Sequence, residues 1–495
     1  DGSGTPHHGD ATAVDLSFTV EGATVPPPPT FEQDILPLVA QHCFECHGAD
    51  TQEAGLDLQT VGKMIFGGDS GTALTPGKVE TSYLWKMIES GEMPPEGTER
   101  ISPRGKSIIR RWIADGAKTD EDLSEIQPRV FVTEKDRQHW SFQLPQRTTI
   151  PTDASRESAR SPVDSFLLAR LQPDGLTFSA DASRPVLARR LFFDLTGLPP
   201  TPAQTDHFLA DVSPDATDQL IDRLLASPRY GERWGRHWMD TVGYVDVRLY
   251  DGDATTVYAN EGMWRYRDYI IQAFNADKPY DQFIEEQLAG DEMIDWRGSQ
   301  EWTADTQEKI VATGYLRNIE DHTSEGQYGI ERRYEVMFDM MSMVSTSLLG
   351  LTFECTRCHN HKYDPLTQRD YYQLMAFFES SYNPRNWLKP QDRWIPDVGP
   401  HARGQIDDEN GRLASQVNAL NARIEALKKS DTKVAVGQIS DLTDQVASLN
   451  ARKRSYGKIQ ALFDVPNPPI SNVFRRGDCL KRGVPVTPGF PEVLT

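Results

Sequence analysis

Two short strings constrain this chain more than anything else in it. Cys43, Cys46 and His47 stand together in QHCFECHGAD, and Cys355, Cys358 and His359 stand together in GLTFECTRCHNH. Each is a CxxC pair running straight into a histidine. Only five cysteines occur in 495 residues, and four of them lie in these two strings. That is too few and too local for a disulfide framework. Two cysteines three apart lie on one helical face, so both thiols can add to the vinyl groups of one haem. The next histidine then swings under the iron as proximal ligand. The expectation is covalent haem attachment at both places, two haem c groups in all.

A partner ligand for the first iron should follow within the same small block. SGEMPPEG supplies Met93, 46 residues beyond His47, on a loop interrupted by prolines. Met64 and Met87 sit inside helical patterns and read as core. His/Met ligation raises the potential and leaves no open position, which suits electron transfer. A zinc site on Cys43, Cys46 and His47 is the alternative, and it lacks a fourth ligand.

The second motif leaves more open. Besides a haem on His359, its CxxCxH spacing also fits a mononuclear metal site drawing on His361. For a haem, His322 in NIEDHTSEG is the first choice of distal ligand and His237 in GRHWMD the second. Met337, Met340, Met341 and Met343 crowd one helix and read as packing. An open distal position is a further option, with His361, Tyr363 or Asp364 as neighbouring acid/base groups. Arg233, His237 and Asp240 fall near one helical face, as a buried polar network or a propionate or substrate site. Asp251 and Asp253 form an incomplete calcium-type turn. Cys479 is a bystander.

The fold class read from periodicity is mainly α. Residues 1–30 end in PPPP and read as a linker. Residues 31–120 form a small block closing on SPRGKSIIRRWIADGA, where Pro103 suits a first helical turn and Gly116 a C-terminal cap. Residues 121–138 read as a linker with a β-like stretch, RVFVTE. Residues 139–385 are helical and carry the second motif. In 404–462, Leu413, Val417, Leu420, Ile424 and Leu427, then Ile439, Leu442, Val446, Leu449 and Tyr456, fit two heptad frames. They flank a polar turn containing Gly437, as a helical coiled-coil hairpin that packs, spaces or dimerises. Residues 463–495 read as the start of an incomplete C-terminal domain.

The formal net charge is −21. Such an excess argues against nucleic acid, whose phosphates need a basic face. The most apolar stretch, 340–353, is too short and too rich in Ser and Thr to span a membrane. The opening DGSGTPHHGD is polar, so export would mean that a signal peptide has already been removed.

These strings resemble the planctomycete-type exported cytochromes, which join an N-terminal planctomycete cytochrome c domain to two large domains of unknown function. The resemblance runs through CFECHG, GLDLQT, SGEMPP and IIRRWIADGA in the first block. It continues through HWSFQLP, RRLFFDLTGLPPTP, LLASPRYGERWGRHWMD, LGLTFECTRCHNHKYDP and YYQLMAFF. It implies location in the periplasm or at the cell surface, a redox role with a redox partner protein, and a polysaccharide-linked substrate. It also implies haem-binding roles for Cys43, Cys46, His47 and Met93, and for Cys355, Cys358 and His359. The tail FRRGD…VTPGFPEVL resembles the opening of the family's C-terminal domain, implying truncation or processing near Thr495. Two departures concern the distal side of the second haem. GYVDV stands where relatives read RYAD, and Ile319 follows Asn318 where relatives often have a histidine. Three functions are left: an electron-transfer di-haem protein, a peroxidase-like or polysaccharide-linked haem oxidoreductase with an open second iron, and a mono-haem cytochrome fused to a metal-binding or scaffold domain.

Overall fold

The computed structural model describes residues 27–123, 131–152, 159–250, 253–321, 323, 329–429 and 433–495, leaving out the side chains of 248–259 and of 433 and 434. It is mainly helical, and its strands form three two-stranded antiparallel sheets among the described residues. The chain divides into two compact units between Val130 and Phe131.

The first unit opens with a π-helical turn, Phe31–Ile35, that runs into α1 (Leu36–His42) and α2 (Phe44–His47). α3 (Val61–Phe66), α4 (Tyr83–Glu89) and α5 (Pro103–Ala114) follow. The Ser102 hydroxyl accepts the Gly105 N–H at the start of α5, and Pro103 occupies the first turn, where a missing N–H costs nothing. Ile35, Val39, Met64, Leu84, Ile88, Ile109 and Trp112 meet in one core. No long helix is needed: α1, α3, α4 and α5 each contribute apolar residues, and Leu58, Leu74 and Ile101 from the connecting segments complete the core.

In the second unit, Thr133 caps α6 (Glu134–Arg137) in a capping box with Asp136. The β-like reading of RVFVTE is therefore corrected. Residues 129 and 130 lie outside the described residues, Phe131–Thr133 form no strand, and Glu134 opens a helix because Thr-x-x-Asp satisfies its first N–H groups. α7 (Pro162–Leu171), α8 (Arg184–Thr196), α9 (Pro202–Ala210) and α10 (Ala216–Leu225) come next. Phe192, Phe208, Leu220 and Leu224 join α8, α9 and α10 in a small core.

α11 (Pro228–Thr241) lies against α12 (Trp264–Asn275). Gly231 makes this close approach possible: a Cβ there would stand 2.2 Å from the Ile271 carbonyl oxygen. Between the two helices runs the hairpin β1 (Val247–Tyr250) and β2 (Asp253–Ala259). α13 (Tyr280–Ala289), α14 (Ala304–Ala312), α15 (Ile330–Val344) and α16 (Gln368–Met375) build the large core around Ile270, Phe283, Ile310, Met337, Met340, Met341 and Tyr372. Three of the four α15 methionines are thus fully buried, in line with the packing expectation.

β3 (Trp394–Pro396) pairs with β4 (Lys458–Gln460), and together they close the base of a long helical hairpin. Its arms are α17 (Pro400–Lys428) and α18 (Lys433–Ala451). Leu413, Val417, Ile424, Ala435 and Leu442 are buried between them. Gly437 is not in the turn. It lies inside α18, because a single glycine costs a helix only about 1 kcal/mol and the burial of Ala435 holds that turn in place. β5 (Asn472–Phe474) and β6 (Arg482–Pro485) form the last hairpin. Phe474, Cys479, Val486 and Val493 lie in the same large core as α12–α16.

Candidate haem-attachment sites

At the first motif α1 ends on His42, and the Cys43 carbonyl accepts the N–H groups of Cys46 (3.2 Å) and His47 (2.8 Å). One tight turn therefore holds both thiols and the imidazole. Burial, helped by the neighbouring Cys46 thiol, pushes the Cys43 thiol up to about 11. A metal would need a thiolate there, whereas addition to a vinyl group consumes an S–H. His47 Nδ1 lies 3.3 Å from the Leu56 carbonyl oxygen. A carbonyl can only accept, so Nδ1 carries the proton and the Nε2 lone pair is left for a metal ion.

Met93 stands on the loop after α4, with its N–H donated to the Met87 carbonyl at 2.9 Å. Arg100 braces this loop from both sides, donating from Nη1 to the carbonyls of Gly91 and Pro94. Met64 and Met87 are core residues, while Met93 keeps 37% of its surface exposed. Met93 thus stands outside the packed core of this unit. Two thiols one turn apart, an imidazole tied through Nδ1 and a thioether outside the core fit a haem c.

The second motif begins in a 3₁₀ turn, Glu354–Arg357, with Cys358 at its C-terminal cap and His359 just beyond. The Cys355 carbonyl accepts from Cys358 (3.3 Å) and His359 (3.4 Å), repeating the first motif's pattern. Cys355, Cys358 and His359 are exposed. His359 Nδ1 lies 2.8 Å from the Asn360 carbonyl oxygen, which again leaves Nε2 free. The Arg357 carbonyl is pinned by Tyr372 Oη (2.9 Å) and Gln368 Nε2 (3.0 Å). These residues also fit a haem.

His361 turns inward, and its Nδ1 accepts the Asp364 N–H at 2.8 Å, so the neutral ring carries its proton on Nε2. Tyr363 is exposed. Among the described residues, no three His, Cys, Asp or Glu side chains are gathered as a metal ion would need.

Among the described residues, the other sequence candidates show no contact with this motif. His322 and Asp251 lie outside the described residues, as does the side chain of Asp253. His237 is exposed on α11, edge-on to Trp234. Arg233, His237 and Asp240 form no shared network. Asp240 pairs with Arg236 at 3.5 Å, and Arg233 packs its stem on Gly197. Helical spacing does bring the three near one face, but Asp240 takes Arg236 at i−4 as its partner and the Arg233 stem is drawn toward Gly197, so no network forms among them. The two segments that depart from the family pattern do meet: a Cβ on Gly243 would lie 3.9 Å from the Asn318 carbonyl oxygen.

Sequence reasoning missed the residues that support the second motif from afar, Gln368 and Phe474. The Gln368 amide joins the Arg357 carbonyl to that of Phe474, which lies 106 residues beyond Gln368, a separation that no local pattern signals.

Comparison with protein families gives two matches. Residues 43–97 match Planctomycete cytochrome C, and residues 162–383 match the family described as Protein of unknown function (DUF1549). Neither the curated proteins nor the solved structures give a match to the chain. The match of residues 43–97 to a cytochrome c domain implies haem c. Among the described residues no helix is long and apolar enough to cross a membrane. The chain thus joins a Planctomycete cytochrome C domain to a following DUF1549 domain, the arrangement of the planctomycete-type cytochromes.

Proposed function

We propose that this is an exported di-haem c-type cytochrome. One haem is held by Cys43, Cys46, His47 and Met93, and the other by Cys355, Cys358 and His359. The observation that carries this reading is the repeated attachment geometry. In both motifs a backbone carbonyl faces Nδ1 of the histidine that follows the second cysteine, which leaves Nε2 for iron. Bound haem supplies one-electron redox chemistry. The chain's own residues fix the imidazole orientation, hold the thioether of Met93 on a braced loop and keep the thiols one turn apart. A redox partner protein in the periplasm or at the cell surface is the implied counterpart.

A second reading gives the second iron an open position for substrate, and His361 favours it. Its Nδ1 accepts the Asp364 N–H at 2.8 Å and lies 3.2 Å from the Asp364 carboxylate, so the ring can take up a proton beside that carboxylate and act as an acid/base group two residues from the proximal histidine. Carbon monoxide added to the reduced, fully loaded protein separates the two. The relay reading expects no spectral change at either haem. A shift belonging to the second haem would replace it with the open-iron reading.

A further inference from the structure

The backbone of the last hairpin lies against the sulfur of Cys358. Gly477, just after β5, has φ +73°, and a Cβ there would stand 2.7 Å from Cys358 Sγ and 3.1 Å from Cγ and Nε of Arg357. The hairpin is held firmly in this place. Phe474 is buried with its ring centroid 4.8 Å from that of Tyr334 and 4.9 Å from that of Tyr372. Gln368 Nε2 bridges the carbonyl oxygens of Phe474 (2.8 Å) and Arg357 (3.0 Å), tying β5 to the residue between the two cysteines. Both hairpin strands lie outside the segments that match the two families.

We propose that the β5–β6 hairpin is a wall of the second haem site and that Gly477 is a positioning residue for the Cys358 thioether. The inference rests on the di-haem reading. In attachment the Cys358 thiol adds across a vinyl double bond. The C–S bond forms at the carbon next to the ring, the thiol hydrogen goes to the terminal carbon, and no electrons are gained or lost. A free Cys358 thiol can rotate away from an added Cβ. A thioether cannot, because Cys355 and His359 fix the same porphyrin. A side chain at 477 therefore acts on the attached form and spares the unattached one.

The test maps haem onto peptides of the full-length protein, wild type beside Gly477→Ala and Gly477→Asn. Asparagine tolerates positive φ, so it adds the Cβ with little backbone strain. The expected result in both variants is haem retained on Cys355, with Cys358 recovered as an alkylatable thiol in most chains and the first motif unchanged. Two intact thioethers in the folded variants would overturn the proposal. Should the single variants not fold, the same substitutions in a Cys358→Ala chain decide. Recovery of folded protein there locates the clash at the sulfur and supports the proposal, and continued failure overturns it. A wild-type protein with no haem on the second peptide overturns the di-haem reading itself, and this inference with it.

Discussion

Replacing Met93 by alanine is expected to open the first haem to carbon monoxide and to lower its midpoint potential. The drop should be on the order of 0.1 V or more, since axial ligands move haem potentials over a range of roughly 0.8 V. Met93 is outside the core, so the folded unit should survive with little loss of stability. Met64→Ala is the informative contrast. Met64 is fully buried, and its truncation should cost about 2–5 kcal/mol while leaving the first haem closed to carbon monoxide. A Met93→Ala protein that still excludes carbon monoxide would mean that another side chain holds the sixth position.

The second large effect concerns the DUF1549 unit. Glu286 on α13 is buried, and it accepts from Tyr269 Oη at 2.9 Å, from Gln282 Nε2 at 2.8 Å and from the Lys278 ammonium. Burial pushes its carboxyl up, but these donors, Lys278 first among them, outweigh burial and hold it below the usual carboxylate range. Lys278 also pairs with Glu308 at 2.7 Å, joining α13 to α14. Lys278→Met should therefore cost about 3–5 kcal/mol at pH 7, because it strands a buried carboxylate.

The pH dependence follows from the sign of the shift. With the folded value depressed, the contribution of Glu286 is present above the unfolded pKa, roughly 4.3. It is lost as pH falls through the folded value. In the Lys278→Met chain the carboxyl takes up a proton at higher pH than in the wild type, so the gap between the two proteins should narrow toward pH 4. Glu286→Gln in the same chain should recover most of the loss. Denaturant melts of the three proteins at pH 7 and pH 4 check this. A gap that does not change with pH would locate the cost in lost packing of the lysine stem.

Much of this architecture was legible because local chemistry dictates it. Ser102-Pro103 starts α5 and Gly116 follows its end, as the capping residues require. Leu413, Val417 and Ile424 are buried at heptad spacing. The four methionines of α15 read as packing because they crowd one helix, and Met337, Met340 and Met341 are indeed buried. Gly437 misled because a glycine marks a turn only when neighbouring packing does not hold the helix, and Ala435 does hold it. RVFVTE reads as β-like from its valines and Phe131, but the Thr133-x-x-Asp136 capping box starts a helix at its end. At the sites, the cysteines and histidines were readable from spacing. Their support was not: Leu56 reaches His47 across a loop, and Phe474 and Gly477 reach the second motif from more than a hundred residues away. Such partners carry no periodic signature, since the fold alone brings them together.

The most direct test of the di-haem reading is the intact mass of the full-length protein made with a haem-attachment system. Two covalent haem equivalents should be present in the wild type, one in a Cys355→Ala/Cys358→Ala chain and one in a Cys43→Ala/Cys46→Ala chain. A single equivalent in the wild type, unchanged when Cys355 and Cys358 are replaced, would contradict it.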